Sequence, residues 1–232
     1  MSTRFTTRPI LRLTHPPTIH RRTFLPNPFA QSPSSTPQSL TAHRTLPFPS
    51  APIYSIIADV PSYASFLPYC HRSDITHWSA PDAIYARRWP SEGKLTSGFG
   101  GITESFRSRV YCVPGKYVES VGGDTETSLP RDLIAHHEEG AEARMGGDNG
   151  LLTHLRSKWT IEELGRNKTG VTLALEFAFT NPFYAALSGG VAPKVAEAMI
   201  RAFEKRVVEL LERNPEMVGA RLEELDGSRL KR

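Results

Sequence analysis

The longest regular hydrophobic pattern of the chain lies in residues 191–213. Apolar residues recur there every three or four positions, and charged residues occupy the opposite side, which is the periodicity of an amphipathic α-helix. At 1.5 Å per residue this helix is about 35 Å long and needs an extended apolar surface to cover. Gly189 and Gly190 precede it and predict a hinge. The apolar stripe consists of Val191, Val195, Met199, Phe203, Val207 and Leu211.

A second pattern, the alternation of apolar and polar residues, predicts several antiparallel strands between residues 70 and 180. The strongest alternation covers residues 171–179, where every odd position is apolar. Weaker alternation occurs around residues 102–112, 117–121 and 155–161, with turns at Pro114-Gly115 and at residues 165–167. These strands present one apolar face, and the long helix is the element available to cover it.

The pattern before residue 70 predicts one strand and two short helices. A strand is expected at residues 43–49, followed by a helix that Ser50 caps and Pro61 ends. A second short helix begins at Tyr63 and is ended by Pro68. The apolar side of the first helix consists of Ile53, Ile56, Ile57 and Val60.

Charge divides the chain of 232 residues unevenly. Residues 1–44 contain six arginines and no acidic residue, a composition typical of a mitochondrial transit peptide, which we predict as a disordered leader at residues 1–42. The rest of the chain has 22 basic and 24 acidic residues, a net charge of −2. The basic character of the whole chain therefore gives little support to nucleic-acid binding. We therefore predict a folded domain at residues 43–213, with an acidic mobile loop inserted at 123–149 and a C-terminal tail at 214–232.

Several residue groups resemble functional motifs, but each has a simpler structural explanation. His136 and His137 lack further ligands at metal-site spacing and are expected in a solvated loop. Residues 98–101 lack the spacing of a phosphate loop, and the adjacent Cys70 and His71 have no partner that would align a nucleophile with its base. Glu104 and Glu119 are weak candidates for a buried general acid. We predict no catalytic residue and no metal site.

An apolar sheet face under a long helix has two interpretations. The side chains can pack closely as an ordinary core, which periodicity alone favours. Alternatively, the sheet can curl around the helix without filling the space, which leaves a pocket for a lipid-like ligand.

The chain resembles mitochondrial coenzyme Q-binding START-domain proteins, which are related to bacterial polyketide cyclase/dehydrase proteins. The resemblance covers residues 44–213 and is most specific in two places: ADVPSYASFLPYC at residues 58–70, and the stretch from FAFTNPFY to AFEKR at residues 177–206. It implies an α+β helix-grip (START-like) fold, in which a curved antiparallel sheet surrounds a long C-terminal helix and two short helices follow the first strand. The insert at 123–149 departs from the family.

The resemblance further implies a non-enzymatic protein that needs no cofactor and binds ubiquinone or its prenylated intermediates. It would act as a chaperone or carrier at the matrix side of the mitochondrial inner membrane, where it supports respiration and ubiquinone synthesis, in contact with the complexes of either process. Arg201, Lys205 and Arg206 could contact anionic lipids, or simply form a solvated helix face. The expected lining residues are Leu67, Phe99, Phe106, Trp159, Phe177, Phe179, Met199 and Phe203, with Phe66, Pro68, Phe183 and Tyr184 at the mouth.

Two other functions remain open at this point. A cyclase or dehydratase on the same fold would place Glu104 or Glu119 in the cavity beside a polar partner. A general phospholipid or sterol carrier would differ from a ubiquinone carrier only in which ligand it prefers.

Overall fold

A computed structural model describes residues 37–99, 102–138, 152–180 and 192–225 of the chain. Its strands form a seven-stranded antiparallel sheet in the order β1-β7-β6-β5-β4-β3-β2. Helix α3 is the predicted long C-terminal helix, so the helix-grip fold is confirmed. The strands are β1 (Gln38–Leu46), β2 (Cys70–Trp78), β3 (Pro90–Phe99), β4 (Ile102–Val113), β5 (Tyr117–Gly123), β6 (Leu152–Gly165) and β7 (Lys168–Phe179); the helices are α1 (Ser50–Ala58), α2 (Ala135–Glu138), α3 (Ala192–Arg213) and α4 (Pro215–Val218).

The first strand begins earlier than the sequence predicts. β1 starts at Gln38, where it pairs with Phe177 of β7, and continues to Leu46, which pairs with Thr169. Residues 38–42 therefore belong to the sheet, which corrects the expectation that the whole of residues 1–42 is a disordered leader. Leu40 and Ala42 alternate with polar residues in this stretch, but the arginine-rich composition around it led to its assignment to the leader.

The two predicted short helices follow β1. Helix α1 begins at Ser50 itself, with Pro49 rather than Ser50 at the N-cap position, and it buries Ile53, Ile56 and Ile57. A 3-10 helix at Val60–Ser65 forms the second, slightly earlier than the turn expected from Tyr63. Every residue from Pro52 to Ala58 is buried, so α1 is enclosed by the rest of the fold, and it packs on β6.

Helix α3 lies against one face of the sheet. Its buried residues Ile200, Phe203 and Val207 join the main core together with Trp159 of β6 and Leu173 of β7. The rings of Trp159 and Phe203 have centroids 4.9 Å apart. The helix covers the face that the period-two pattern made apolar, and the odd-numbered residues of β7 point towards it.

The opposite face of the sheet is also covered, in part, by residues 124–138, which we call the outer-face segment. Leu129 and Ile134 of this segment pack with Val113, Tyr111 and Tyr117. Its 3-10 turn at Arg131–Leu133 is followed directly by α2. The expectation of a mobile loop is therefore wrong for the outer-face segment; residues 139–149 of the predicted insert lie outside the described residues.

The C-terminal region also continues the fold beyond the predicted end at residue 213. Met217, Leu222 and Leu225 are buried in the main core. Arg87 donates hydrogen bonds to the carbonyl oxygens of Leu222 (3.4 Å) and Leu225 (2.6 Å). A free tail is thus wrong for residues 214–225, and residues 226–232 lie outside the described part of the chain.

Candidate ligand site between the sheet and helix α3

The sheet face beneath α3 is closed at one end by a continuous row of buried side chains. Strand register aligns Cys112, Val118, Trp159 and Leu173 side by side on β4, β5, β6 and β7, and all four are almost inaccessible to solvent. Phe203 of α3 packs against this row, and its side chain is 1% exposed. This end of the space between sheet and helix is a close-packed core.

The next row along the strands contains small polar side chains. Val110 pairs with Ser120, Ser120 pairs with Ser157, and Ser157 pairs with Leu175. Ser108 lies on the same face, two positions before Val110. Ser120 and Ser157 are half-buried although they lie on two adjacent inner strands of the sheet. Serine fills much less volume than the leucine, valine and tryptophan residues around it.

Further along the strands, the helix-facing side chains become large, apolar and half-buried. Leu95 pairs with Phe106, and Leu155 pairs with Phe177; all four are half-buried. Phe179 lies beside Phe177, with ring centroids 5.5 Å apart in a T-shaped arrangement. Exposure therefore increases along the sheet, from a closed core at Trp159 to partly accessible aromatic rings at Phe106, Phe177 and Phe179.

The predicted lining residues fall into two groups in this arrangement. Trp159 and Phe203 belong to the closed core, and Leu67 is buried in a separate cluster with Val60 and Tyr63. Met199 is only partly buried and packs against both clusters. The accessible group therefore consists of Phe106, Phe177, Phe179 and Met199, while the side chain of Phe99 lies outside the described part of the structure.

The predicted mouth is described only on its N-terminal side. Phe66 is half-buried against Phe203, with ring centroids 6.5 Å apart, and the guanidinium of Arg206 lies 5.8 Å from the Phe66 ring centre. Pro68 is half-buried in the turn that leads into β2. Phe183, Tyr184 and the hinge glycines at 189 and 190 lie outside the described residues.

Alternation placed the serines at positions 108, 120 and 157, with Leu95 and Leu155, inside predicted strands but assigned none of them a role. The available pattern was the interruption of an apolar strand face by small hydroxyl residues. Alternation shows that such residues share a face, but which of them lie next to one another on neighbouring strands depends on register, which the sequence does not specify.

The two candidate carboxylates do not lie together on the sheet face that packs against α3. Glu104 is exposed near the beginning of β4. Glu119 is 0% exposed, but it lies on the face of β5 opposite to Val118 and therefore opposite to α3. Its carboxylate accepts hydrogen bonds from the backbone N–H of Ser128 (3.0 Å), the Ser128 hydroxyl (2.6 Å) and the Thr127 hydroxyl. Glu119 thus anchors the outer-face segment.

The adjacent histidines differ from the expected solvated loop. His137 is 2% exposed, and its Nε2 accepts a hydrogen bond from the backbone N–H of Cys112 at 2.9 Å. Its Nδ1 lies 3.2 Å from Ser91 Oγ and donates to it in this tautomer. Burial, reinforced by neighbouring His136, lowers the pKa of His137 to about 3. At Cys112, β4 extends past the start of β3 and has no strand partner on that side among the described residues. The buried neutral imidazole of His137 accepts the Cys112 hydrogen bond in its place.

The remaining candidates for chemistry have structural roles in the described residues. Burial raises the pKa of the Cys112 thiol to about 12 and also raises the pKa of Cys70, so neither thiol is activated as a nucleophile. Gly98 lies within β3, and a side chain there would begin 2.3 Å from His71 Nε2. The described part of the chain contains no group of three or more His, Cys, Asp or Glu residues placed to hold a metal ion.

Comparison with solved structures supports the fold. The chain is similar to a START superfamily protein from Mycobacterium smegmatis, with a TM-score of 0.54 and 18% identity over 74% of this chain and 98% of that one. It is also similar to the Zhui aromatase/cyclase from Streptomyces sp. R1128, with a TM-score of 0.55 and 15% identity over 77% and 98% of the two chains. At this identity the likeness shows the fold alone, and the fold therefore includes enzymes.

Sequence comparison gives more specific relatives. The mitochondrial coenzyme Q-binding protein coq10 of Schizosaccharomyces pombe is 28% identical over 70% of this chain and 82% of its own length. The ribosome association toxin RatA of Pseudomonas aeruginosa is 26% identical over 71% and 92%. Residues 46–204 match the family of polyketide cyclase/dehydrase and lipid transport proteins. The chain therefore belongs to this family of START-like proteins for hydrophobic ligands.

Proposed function

We propose that the protein binds ubiquinone, or a prenylated precursor of it, between the sheet and helix α3. The proposed role is that of a chaperone or carrier that presents the quinone to enzymes of ubiquinone synthesis or to respiratory complexes. The observation that carries the proposal is the increase in exposure along the helix-facing side of the sheet, from Trp159 to Phe106, Phe177 and Phe179. Partly accessible aromatic and aliphatic side chains on the sheet face against which α3 packs favour a site for a long apolar ligand.

The energetics of lifting a prenyl chain from a bilayer support this choice of surface. Each CH₂ group that leaves the membrane must be buried again at a gain of about 0.8 kcal/mol. Half-buried phenylalanines and leucines along one sheet face provide such area, whereas a closed core does not. The similarity to several coenzyme Q-binding proteins supports ubiquinone among the apolar ligands that such a surface accepts.

Binding without catalysis is favoured over a cyclase or dehydratase reaction by the positions of the two carboxylates. Glu104 is exposed, and the buried Glu119 faces away from α3 towards Thr127 and Ser128. Neither carboxylate is therefore placed to transfer a proton to a ligand between the sheet and α3. The likeness to an aromatase/cyclase extends to the fold and does not supply these groups.

A mitochondrial location at the matrix side of the inner membrane is part of the proposal. It is supported by the acid-free, arginine-rich N-terminal composition and by relatives that carry a mitochondrial designation. No helix in the described residues is long and apolar enough to span a bilayer. Because β1 begins at Gln38, a leader that is removed without damage to the sheet must end before that residue. N-terminal sequencing of the protein from purified mitochondria tests this limit.

Contact between α3 and anionic lipid headgroups has weaker support. Arg201 forms an ion pair with Glu197 at 3.1 Å, and Lys205 forms one with Glu209 at 3.7 Å. Both pairs follow the i,i+4 spacing of a solvated helix surface. Peripheral membrane contact is therefore proposed for the protein as a whole, without assigning it to these side chains.

The decisive experiment is identification of the native ligand. The protein is purified from its own mitochondria, extracted with organic solvent and examined by mass spectrometry, and ubiquinone or a prenylated precursor should be recovered in near-stoichiometric amount. A phospholipid or sterol in place of a quinone would support the general carrier instead.

A matched pair of variants locates the site. Phe106→Asp places a charge on the helix-facing side of β4, whereas Ser105→Asp places it on the neighbouring, outer side. Loss of the quinone from the first variant only is expected. Retention by Phe106→Asp, with the protein still folded, would contradict the proposed site.

A further inference from the structure

Three serines on adjacent strands share the sheet face that α3 covers. Ser108 lies on β4, Ser120 on β5 and Ser157 on β6, and Ser120 pairs directly with Ser157. Paired residues on one face of antiparallel strands have Cβ atoms about 5 Å apart. Ser108 is on the same face as Val110, the other partner of Ser120. The three hydroxyls therefore form a short polar stripe, which we call the serine stripe.

The hydroxyl of Ser108 lacks a hydrogen-bond partner. Its Oγ is buried without any acceptor or donor in the described structure, and the residue is 3% exposed. Burial of a hydroxyl without a hydrogen bond is energetically unfavourable. A hydroxyl in this position weakens the ligand-free protein, whereas alanine would avoid the penalty.

The hydroxyls of Ser120 and Ser157 are also available to form hydrogen bonds with a ligand. No side-chain hydrogen bond is formed by either residue within residues 37–99, 102–138, 152–180 and 192–225. Both remain half-buried, so a ligand under α3 can reach them. Each hydroxyl can donate one hydrogen bond and accept others.

The serine stripe separates two apolar regions. The closed row of Trp159 and Phe203 lies on one side, and the half-buried rings of Phe106 and Phe177 lie on the other. A ligand with a polar end and a long apolar chain matches this order if the polar end reaches the stripe and the chain extends over the phenylalanines. The closed core beyond the stripe leaves no room for the chain to extend in the other direction.

On the basis of the proposed function, we propose that the serine stripe binds the oxygenated ring of the ligand, while the prenyl chain lies against Phe106, Phe177 and Phe179. The ring carbonyl and methoxy oxygens of a benzoquinone accept hydrogen bonds from serine hydroxyls. The hydroxyl groups of a reduced or precursor ring donate to the same serine oxygens. The stripe therefore recognises an oxygenated ring in either redox state, and it distinguishes a ring-bearing prenyl lipid from a plain hydrocarbon.

The test compares two ligands on the purified full chain, after bound lipid has been removed. One is a short-chain ubiquinone and the other is a prenyl hydrocarbon of equal chain length that lacks the ring. Ser108→Ala and Ser157→Ala should each weaken ubiquinone binding about fivefold to tenfold, as expected for one lost hydrogen bond, and should leave hydrocarbon binding unchanged. Ser105→Ala, on the outer face of β4, is the matched control and should alter neither affinity.

Two further measurements separate ring recognition from a structural role. Ser108→Ala should unfold at the same or a higher urea concentration than the wild type, because it removes an unsatisfied buried hydroxyl. The carbonyl stretching frequency of bound ubiquinone should be lower than in a hydrocarbon solvent, and it should rise again in the Ser108→Ala/Ser157→Ala double variant.

The outcomes distinguish this inference from the proposed function. If the wild type binds the quinone and the serine variants bind it equally well, or if both ligands lose affinity together, the serine stripe does not recognise the ring and only this inference fails. If the wild type binds neither ubiquinone nor its precursors, the proposed function fails as well.

Discussion

Arg44 of β1 donates from Nε to the carboxylate of Glu204 on α3 at 3.1 Å. The same guanidinium also pairs with Glu197, two helical turns earlier. One arginine on an edge strand therefore holds two positions of the helix that borders the proposed ligand site. Composition alone groups Arg44 with the other arginines of residues 1–44.

Replacement of Arg44 by methionine should weaken the attachment of α3 to β1. The variant keeps most of the aliphatic stem but loses both ion pairs, so a lower urea midpoint with an unchanged m-value is expected. The difference from the wild type should shrink at high ionic strength, because partly exposed ion pairs are screened. Arg72→Met, which removes a more exposed pair with Asp74, is the control. An equal loss in both variants would show that Arg44 has no special role.

Phe203 and Phe106 should respond differently to truncation. Phe203 is 1% exposed against Trp159, so Phe203→Ala should cost about 3–5 kcal/mol of unfolding free energy. Phe106 is half-buried, and Phe106→Ala should cost about 1 kcal/mol while releasing bound quinone. Urea unfolding and ligand extraction on both variants provide the measurements. Equal destabilisation by the two changes would indicate a solid core at both positions.

His137 should make the protein less stable as the pH falls. Its pKa is lowered to about 3 in the folded state, against about 6.5 in the unfolded chain, so the unfolded state takes up more protons below pH 6.5. The neutral imidazole therefore contributes its full stability above that pH, and between pH 7 and pH 5 about 2 kcal/mol is lost. Further loss continues down to about pH 3.

The pH effect is measured by urea unfolding at several pH values. His137→Gln should flatten the profile between pH 7 and pH 5, because the titrating group is gone. Ser91→Ala removes only the partner of Nδ1 and should preserve the slope. A wild-type slope in the His137→Gln variant would assign the effect to other groups.

Glu119 should control the attachment of the outer-face segment. Glu119→Gln replaces one acceptor oxygen by a donor that opposes the groups of Thr127 and Ser128, and a loss of about 1–3 kcal/mol is expected. Limited proteolysis should then cut residues 124–138 faster than in the wild type. Glu104→Gln, at an exposed position, should change stability by less than about 0.5 kcal/mol. Unchanged proteolysis of Glu119→Gln would contradict the anchoring role.

Local patterns in the sequence determined the principal elements of this protein. The helical period of residues 191–213 predicted α3 to within one residue of its observed start at Ala192, and alternation predicted β7 and the helix-facing side of β4. These predictions succeed because the periods of a helix and a strand follow from backbone geometry within a single element. The family resemblance added the arrangement of these elements, an antiparallel sheet around the long C-terminal helix.

Only the tertiary structure decided which neighbours each element meets. In the structure the sheet begins at Gln38, and Leu225 is buried in the core. Part of the predicted acidic loop covers Glu119 and contains the buried His137. The tertiary structure also divided the predicted lining into a closed core at Phe203 and accessible rings at Phe106, and aligned Ser120 with Ser157 between them. These relationships depend on strand register and on contacts between residues far apart in the chain, which a periodic pattern within one segment does not encode.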